Sequence, residues 1–167
     1  MDSILPAEIG NLARRVIEEN AKLGRKLAVA ESCTGGLVAA ALTEIPGSSA
    51  VLDRGFVTYS NESKMQVLGV SEDVIDTFGA VSIAVAWSMA QGALKKSGAD
   101  VAVAITGVAG PDGGSDQKPV GTVVFACARK DEDPEATNAE LKFFDGVKTR
   151  ADVRYQATLV ALELLLP

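Results

Sequence analysis

Three short apolar runs constrain this chain more than any other feature: Lys26-Leu27-Ala28-Val29-Ala30, Asp100 to Ile105, and Val120 to Ala128. Each has the length of a strand, and none alternates cleanly with polar residues, so each reads as a strand buried on both faces. Such strands need a layer of helices on either side. Helical spacing is present between and around them. Pro6 to Leu23 repeats Ile9, Leu12 and Val16 and meets a stop at Gly24. Leu37 to Leu42, Asn61 to Leu68, a short segment capped by Ser71-Glu72-Asp73 and ended by Gly79, Ser82 to Lys96, and Thr149 to Leu165 also read as helices. Val51 to Tyr59 and Ala139 to Phe144 add two strands, and Asp131 to Glu135 a solvated turn. No repeat or linker interrupts the pattern. The expected fold is α/β, a single three-layer domain over residues 1–167, with a central sheet carrying helices on both faces.

Composition then narrows the function. The formal net charge is -6, so no basic excess exists to neutralise phosphates, and general binding to nucleic acid or to an anionic membrane is disfavoured. No apolar stretch approaches the length of a membrane span, and Met1 to Glu8 lacks the basic start and apolar run of a secretory leader. Two cysteines, Cys33 and Cys127, make no disulfide framework, which suits a reducing compartment; the expected location is the cytoplasm. Histidine is absent altogether. That removes Ser-His-Asp and Cys-His catalysis, histidine metal sites and histidine acid/base chemistry. Asp112 and Asp116 match no trusted metal-ligand spacing, and neither a metal nor another cofactor is expected.

Two of the strands run into small polar loops, Glu31-Ser32-Cys33-Thr34-Gly35-Gly36 and Thr106-Gly107-Val108-Ala109-Gly110-Pro111. In open α/β sheets, ligands bind beyond the carboxyl ends of strands, where helix starts supply donors. Ser32 leaves a strand just before a helix, as a nucleophile would, with the Thr34, Gly35 and Gly36 amides as an oxyanion site. The plainer reading makes Ser32 a cap and the glycines turn-formers. Tyr59 and Lys64 flank the next strand-to-helix junction. Lys64 could take the proton of Ser32 only if its pKa falls from near 10.4 to roughly 7, which costs the charged form about 4–5 kcal/mol. Ordinary roles for these two are a surface lysine and a core tyrosine. Cys33 is the rival nucleophile, although a buried, inert thiol is the default for it. Arg150 and Arg154 share one helix face and, with Lys118, could meet an anion. Ordinary surface charge is the alternative for all three.

Taken jointly, several blocks resemble the C-terminal domain family of the bacterial competence-damage-inducible protein CinA. They are Glu31 to Gly36, Gly47-Ser48-Ser49, Arg54 to Asn61 with Lys64, Gly79-Ala80-Val81-Ser82, Thr106 to Gly114, and Lys118 to Val123. The resemblance implies hydrolysis of the carboxamide of nicotinamide mononucleotide to nicotinate mononucleotide and ammonia, without a cofactor. It implies Ser32 as nucleophile, Lys64 as base and Tyr59 as their assistant. Thr34, Gly35, Gly36, Phe56, Asn61, Thr106, Gly107, Lys118, Arg150 and Arg154 are the expected substrate-binding residues, with Arg150 and Arg154 facing the phosphate. A homo-oligomer is expected as well. Many members follow the Gly-Ala-Val-Ser block with an acidic residue and proline, where this chain has Ile83 and Ala84. The alternatives are a non-catalytic nucleotide-binding or regulatory module, and an esterase or amidase with another substrate.

Overall fold

The computed structural model describes residues 1 and 3–167. Asp2, part of the stretch read for a leader, lies outside the described residues. Five strands form one sheet in the order β2-β1-β3-β4-β5: β1 Leu27–Glu31, β2 Leu52–Val57, β3 Val101–Gly107, β4 Thr122–Arg129 and β5 Asn138–Phe143. β1 pairs in parallel with both β2 and β3. The connection from β3 to β4 contains no helix to carry the chain back, so β4 returns antiparallel to β3, and β5 antiparallel to β4. The expected central sheet is therefore present and mixed.

Among the described residues, six α-helices cover it on both sides, as the apolar runs require. On one face, α1 (Ala7–Lys22), α2 (Leu37–Thr43) and α6 (Arg150–Leu164) pack against Leu27, Val29, Val103, Ile105 and Phe125. On the other, α3 (Asn61–Leu68), α4 (Glu72–Phe78) and α5 (Ile83–Lys95) pack against Ala28, Ala30, Ala102, Ala104, Ala126 and Ala128. The large side chains thus alternate with alanines across the sheet, and the alanine face lets α5 lie close. Among the described residues, no helix is long and apolar enough to cross a membrane.

Boundaries differ from the sequence reading where side chains outside the strand pattern decide them. β2 stops at Val57, because Thr58 to Ser60 already turn toward α3 and the Ser60 hydroxyl accepts the Ser63 amide at 3.0 Å. β3 runs on to Gly107, two residues beyond Ile105. β4 begins at Thr122 rather than Val120, after Gly121 at φ 97°. α6 starts on a reciprocal cap in which the Thr149 hydroxyl accepts the Asp152 amide and the Asp152 carboxylate accepts the Thr149 amide.

On the alanine side, α5 closely approaches the end of α3. A Cβ built on Gly92 would lie 2.0 Å from the Leu68 carbonyl oxygen. Gly92→Ala should therefore destabilise the protein by about 1–3 kcal/mol through overpacking. Gly10→Ala in α1, where nothing lies within 4 Å of a new Cβ, should stabilise by roughly 0.5–1 kcal/mol. Urea unfolding midpoints of the two variants, at unchanged m-value, check both signs.

Candidate active site

The carboxyl ends of β1, β2 and β3 lie side by side, and the chain diverges there. From β1 it passes through α2 to β2 on one side, whereas β3 leads to β4 on the other. This is the topological switch point at which open α/β sheets leave a crevice. A cavity of about 260 Å³ occupies it, lined by Ser32, Cys33, Tyr59, Asn61, Lys64, Ala80, Val81, Thr106, Gly107, Ala109 and Arg150.

Ser32 is the first residue past β1. Its amide donates to the Ile105 carbonyl at 2.9 Å, extending the β1–β3 ladder by one bond. The left-handed glycines Gly35 (φ 60°) and Gly36 (φ 101°) then turn the chain into α2. Lys64, in the first turns of α3, reaches back to this point, and its Nζ lies 3.1 Å from Ser32 Oγ. The same Nζ donates to the Thr58 carbonyl at 3.0 Å and to the Tyr59 carbonyl at 3.2 Å. Lys64 is only 1% exposed. Burial pulls its pKa below the ordinary 10.5, with a smaller opposing effect from Cys33. No carboxylate forms a salt bridge with Lys64 among the described residues.

The acidic neighbour of Ser32 in sequence, Glu31, is fully buried and turned to another task. Its carboxylate accepts the amides of Gly36 at 3.2 Å, Val38 at 3.0 Å and Ala39 at 3.0 Å, capping the N-terminus of α2. Its charge is thereby held by helix donors. Sequence reasoning missed Glu31, although a carboxylate just ahead of a Gly-Gly helix start is a capping signal. It also missed the Thr58 carbonyl, which no side-chain pattern announces.

Cys33 is 4% exposed, and burial above all pushes its thiol up to about 12. It is a thiol rather than a thiolate at neutral pH, which disfavours it as the nucleophile. Tyr59 and Lys64 exchange the ordinary roles given above: the lysine is buried and the tyrosine is 61% exposed. The Tyr59 hydroxyl accepts Arg150 Nη2 at 2.6 Å, while Arg150 Nη1 donates to the Gly110 carbonyl at 2.7 Å. Arg150 and Asn61 reach the cavity; Thr34, Gly35, Gly36, Phe56, Lys118 and Arg154 do not line it.

Each of those six residues has another contact or environment. Thr34 is fully buried, the Gly35 amide donates to the Ser32 carbonyl at 3.0 Å, and the Gly36 amide serves Glu31. The oxyanion donors expected from these three are therefore engaged or enclosed. For Gly35 and Gly36 that corrects the sequence expectation, because the turn itself and the carboxylate claim those amides first. Phe56 packs on the alanine side of the sheet. Lys118 Nζ donates to the Phe78 carbonyl at 2.9 Å, and Arg154 donates to the Cys33 and Thr34 carbonyls. Thr106 lines the cavity, and its hydroxyl donates to the Ala80 carbonyl at 2.9 Å, fixing the wall between α4 and α5. Gly107 has no room for a side chain, since a Cβ would meet Val123 Cγ2 at 2.8 Å and Cys33 Sγ at 3.1 Å. No three His, Cys, Asp or Glu side chains converge as metal ligands among the described residues.

Comparison with known proteins gives this geometry a context. Nicotinamide-nucleotide amidohydrolase PncC of Escherichia coli strain K12 is 50% identical over 159 residues, covering 95% of this chain and 93% of that protein. A putative competence-damage inducible protein of Symbiobacterium thermophilum is 49% identical over 161 residues, of whose length this chain spans 36%. The crystal structure of the competence/damage inducible protein CihA from Agrobacterium tumefaciens superposes with a TM-score of 0.91 at 48% identity, covering 98% of this chain and 96% of that one. The model of the CinA C-terminal domain matches residues 10–167, and the chain belongs to that family.

Proposed function

We propose that this protein hydrolyses the carboxamide of nicotinamide mononucleotide, with Ser32 as nucleophile and Lys64 as its base. One observation carries the mechanism: a buried amine 3.1 Å from Ser32 Oγ, with two backbone carbonyls as its other partners. A carbonyl can only accept. A neutral amine has two N–H groups and one lone pair, so donating to Thr58 and Tyr59 leaves the lone pair for the Ser32 hydroxyl. Burial favours that neutral form. The substrate class rests on the PncC relative's name, and the absence of histidine leaves lysine as the cavity's available amine base.

In the reaction, Ser32 Oγ bonds to the amide carbon as its proton passes to Lys64 Nζ. The tetrahedral adduct expels ammonia, which takes the proton back from Lys64. Water then attacks the ester by the same route, giving the carboxylic acid and restoring Ser32. Among the lining side chains, the Tyr59 hydroxyl and the Asn61 amide are left to meet an oxyanion. Arg150, whose guanidinium already bridges Tyr59 and Gly110 across the cavity, is the phosphate ligand in this reading.

Three outcomes test it. Ammonia release from the mononucleotide should fall by roughly 100- to 10,000-fold in Lys64→Met and at least as far in Ser32→Ala; binding without turnover by the unaltered protein would instead indicate a nucleotide-binding module. Because the base works deprotonated, kcat/KM should rise with pH through a pKa below 10.5, and the linkage has a matching sign. Between the depressed value and 10.5 the unfolded lysine holds a proton that the folded one lacks, so stability should also rise with pH there. Lys64→Met should abolish that rise in urea unfolding. Arg150→Met should raise KM for the nucleotide and leave the phosphate-free nucleoside unaffected, as steady-state kinetics on both substrates would show.

A further inference from the structure

Arg154 stands one helical turn beyond Arg150 on α6, yet the two guanidinium groups go to different places. Arg154 Nε donates to the Cys33 carbonyl at 3.1 Å, and Arg154 Nη2 to the Thr34 carbonyl at 3.2 Å. These carbonyls belong to the turn that carries Ser32 into α2. The guanidinium lies against Gly35, whose hypothetical Cβ would sit 3.5 Å from Arg154 Nη2. It does not line the cavity that Arg150 enters.

The turn needs such a restraint. Two successive left-handed glycines make its backbone the most permissive segment near the nucleophile. From the α2 side, Glu31 holds the Gly36, Val38 and Ala39 amides. From the β3 side, Ile105 holds the Ser32 amide. The Cys33 and Thr34 carbonyls lie between these anchors, and Arg154 is the residue distant in sequence that fixes both of them with one planar fork. If those peptide planes rotated, Ser32 Oγ would move relative to Lys64 Nζ, which reaches it from a different element.

We propose that Arg154 is a positioning residue that holds the nucleophile turn in register with Lys64, and that it is not a ligand for the substrate phosphate. This rests on the reading of Ser32 as nucleophile. The consequence is a division of labour on α6, with Arg150 facing the substrate and Arg154 facing the protein.

The test measures the nucleophilicity of Ser32 apart from substrate recognition. A fluorophosphonate probe reacts with an activated serine by forming an Oγ–P bond and expelling fluoride, and mass spectrometry of the whole chain reads the rate. Arg154→Met should slow labelling by roughly 10- to 100-fold. It should lower kcat for nicotinamide mononucleotide by a similar factor, with KM changed by less than about threefold, and Arg154→Lys should recover part of both rates. Labelling at the unaltered rate with a raised KM for the nucleotide would overturn the proposal and make Arg154 a phosphate ligand. Should Arg154→Met not fold, Arg154→Lys, whose ammonium lacks the planar fork that spaces the two bonds, is read against the same two outcomes. An unaltered protein that labels at Ser32 but releases no ammonia from the mononucleotide would remove the substrate reading, and the labelling rates would still decide the role of Arg154. One that does not label would overturn both.

Discussion

The site depends on a lysine amine held out of water without a counter-charge. An exposed Lys64 would be an ammonium, and an ammonium beside Ser32 can donate to its oxygen but cannot take its proton. Burial works against this by penalising the charged form. A carboxylate in contact would undo the effect, and the fold keeps the adjacent one away by committing Glu31 to the start of α2. One buried carboxylate therefore does two things. It anchors the helix that follows Ser32, and its oxygens are bonded to helix amides rather than to the Lys64 amine.

The architecture explains how the groups meet. Ser32 comes from the end of β1, Lys64 from the helix after β2, and Thr106 from the end of β3, all at one edge of a parallel three-strand unit. Alanines on one sheet face and a glycine in α5 let the layer carrying α3 approach closely. Lys64 is buried because that layer is tight. The closing helix α6 adds Arg150 at the cavity and Arg154 behind the turn that carries Ser32.

Much of this was legible in the sequence. The apolar runs announced the buried strands, Gly24 and Gly79 marked helix ends, and the segment Asn61–Leu68 is helical over its whole read length. The polar exits of β1 and β3 pointed to the right end of the sheet. What could not be read was the direction of long side chains. Lys64 is buried and Tyr59 exposed because α3 packs against α5 with Lys64 reaching to Ser32 at the end of β1, a tertiary fact that local spacing does not encode. Arg150 and Arg154 share a helix face, as their spacing requires, but only the packing of α6 against the turn separates their partners. The Gly36 amide looked open in sequence because Glu31 was not read as its cap, and the Gly35 amide because the Ser32 carbonyl claims it only in the folded turn.

The most direct measurement is the titration of the Lys64 side chain by NMR, following its ε-carbon in protein labelled at lysine and assigned with Lys64→Met. The account predicts a midpoint below 10.5 that persists in Ser32→Ala, since desolvation rather than the serine sets it. A midpoint at or above that of an ordinary solvated lysine would leave an ammonium in the cavity at neutral pH and contradict the account.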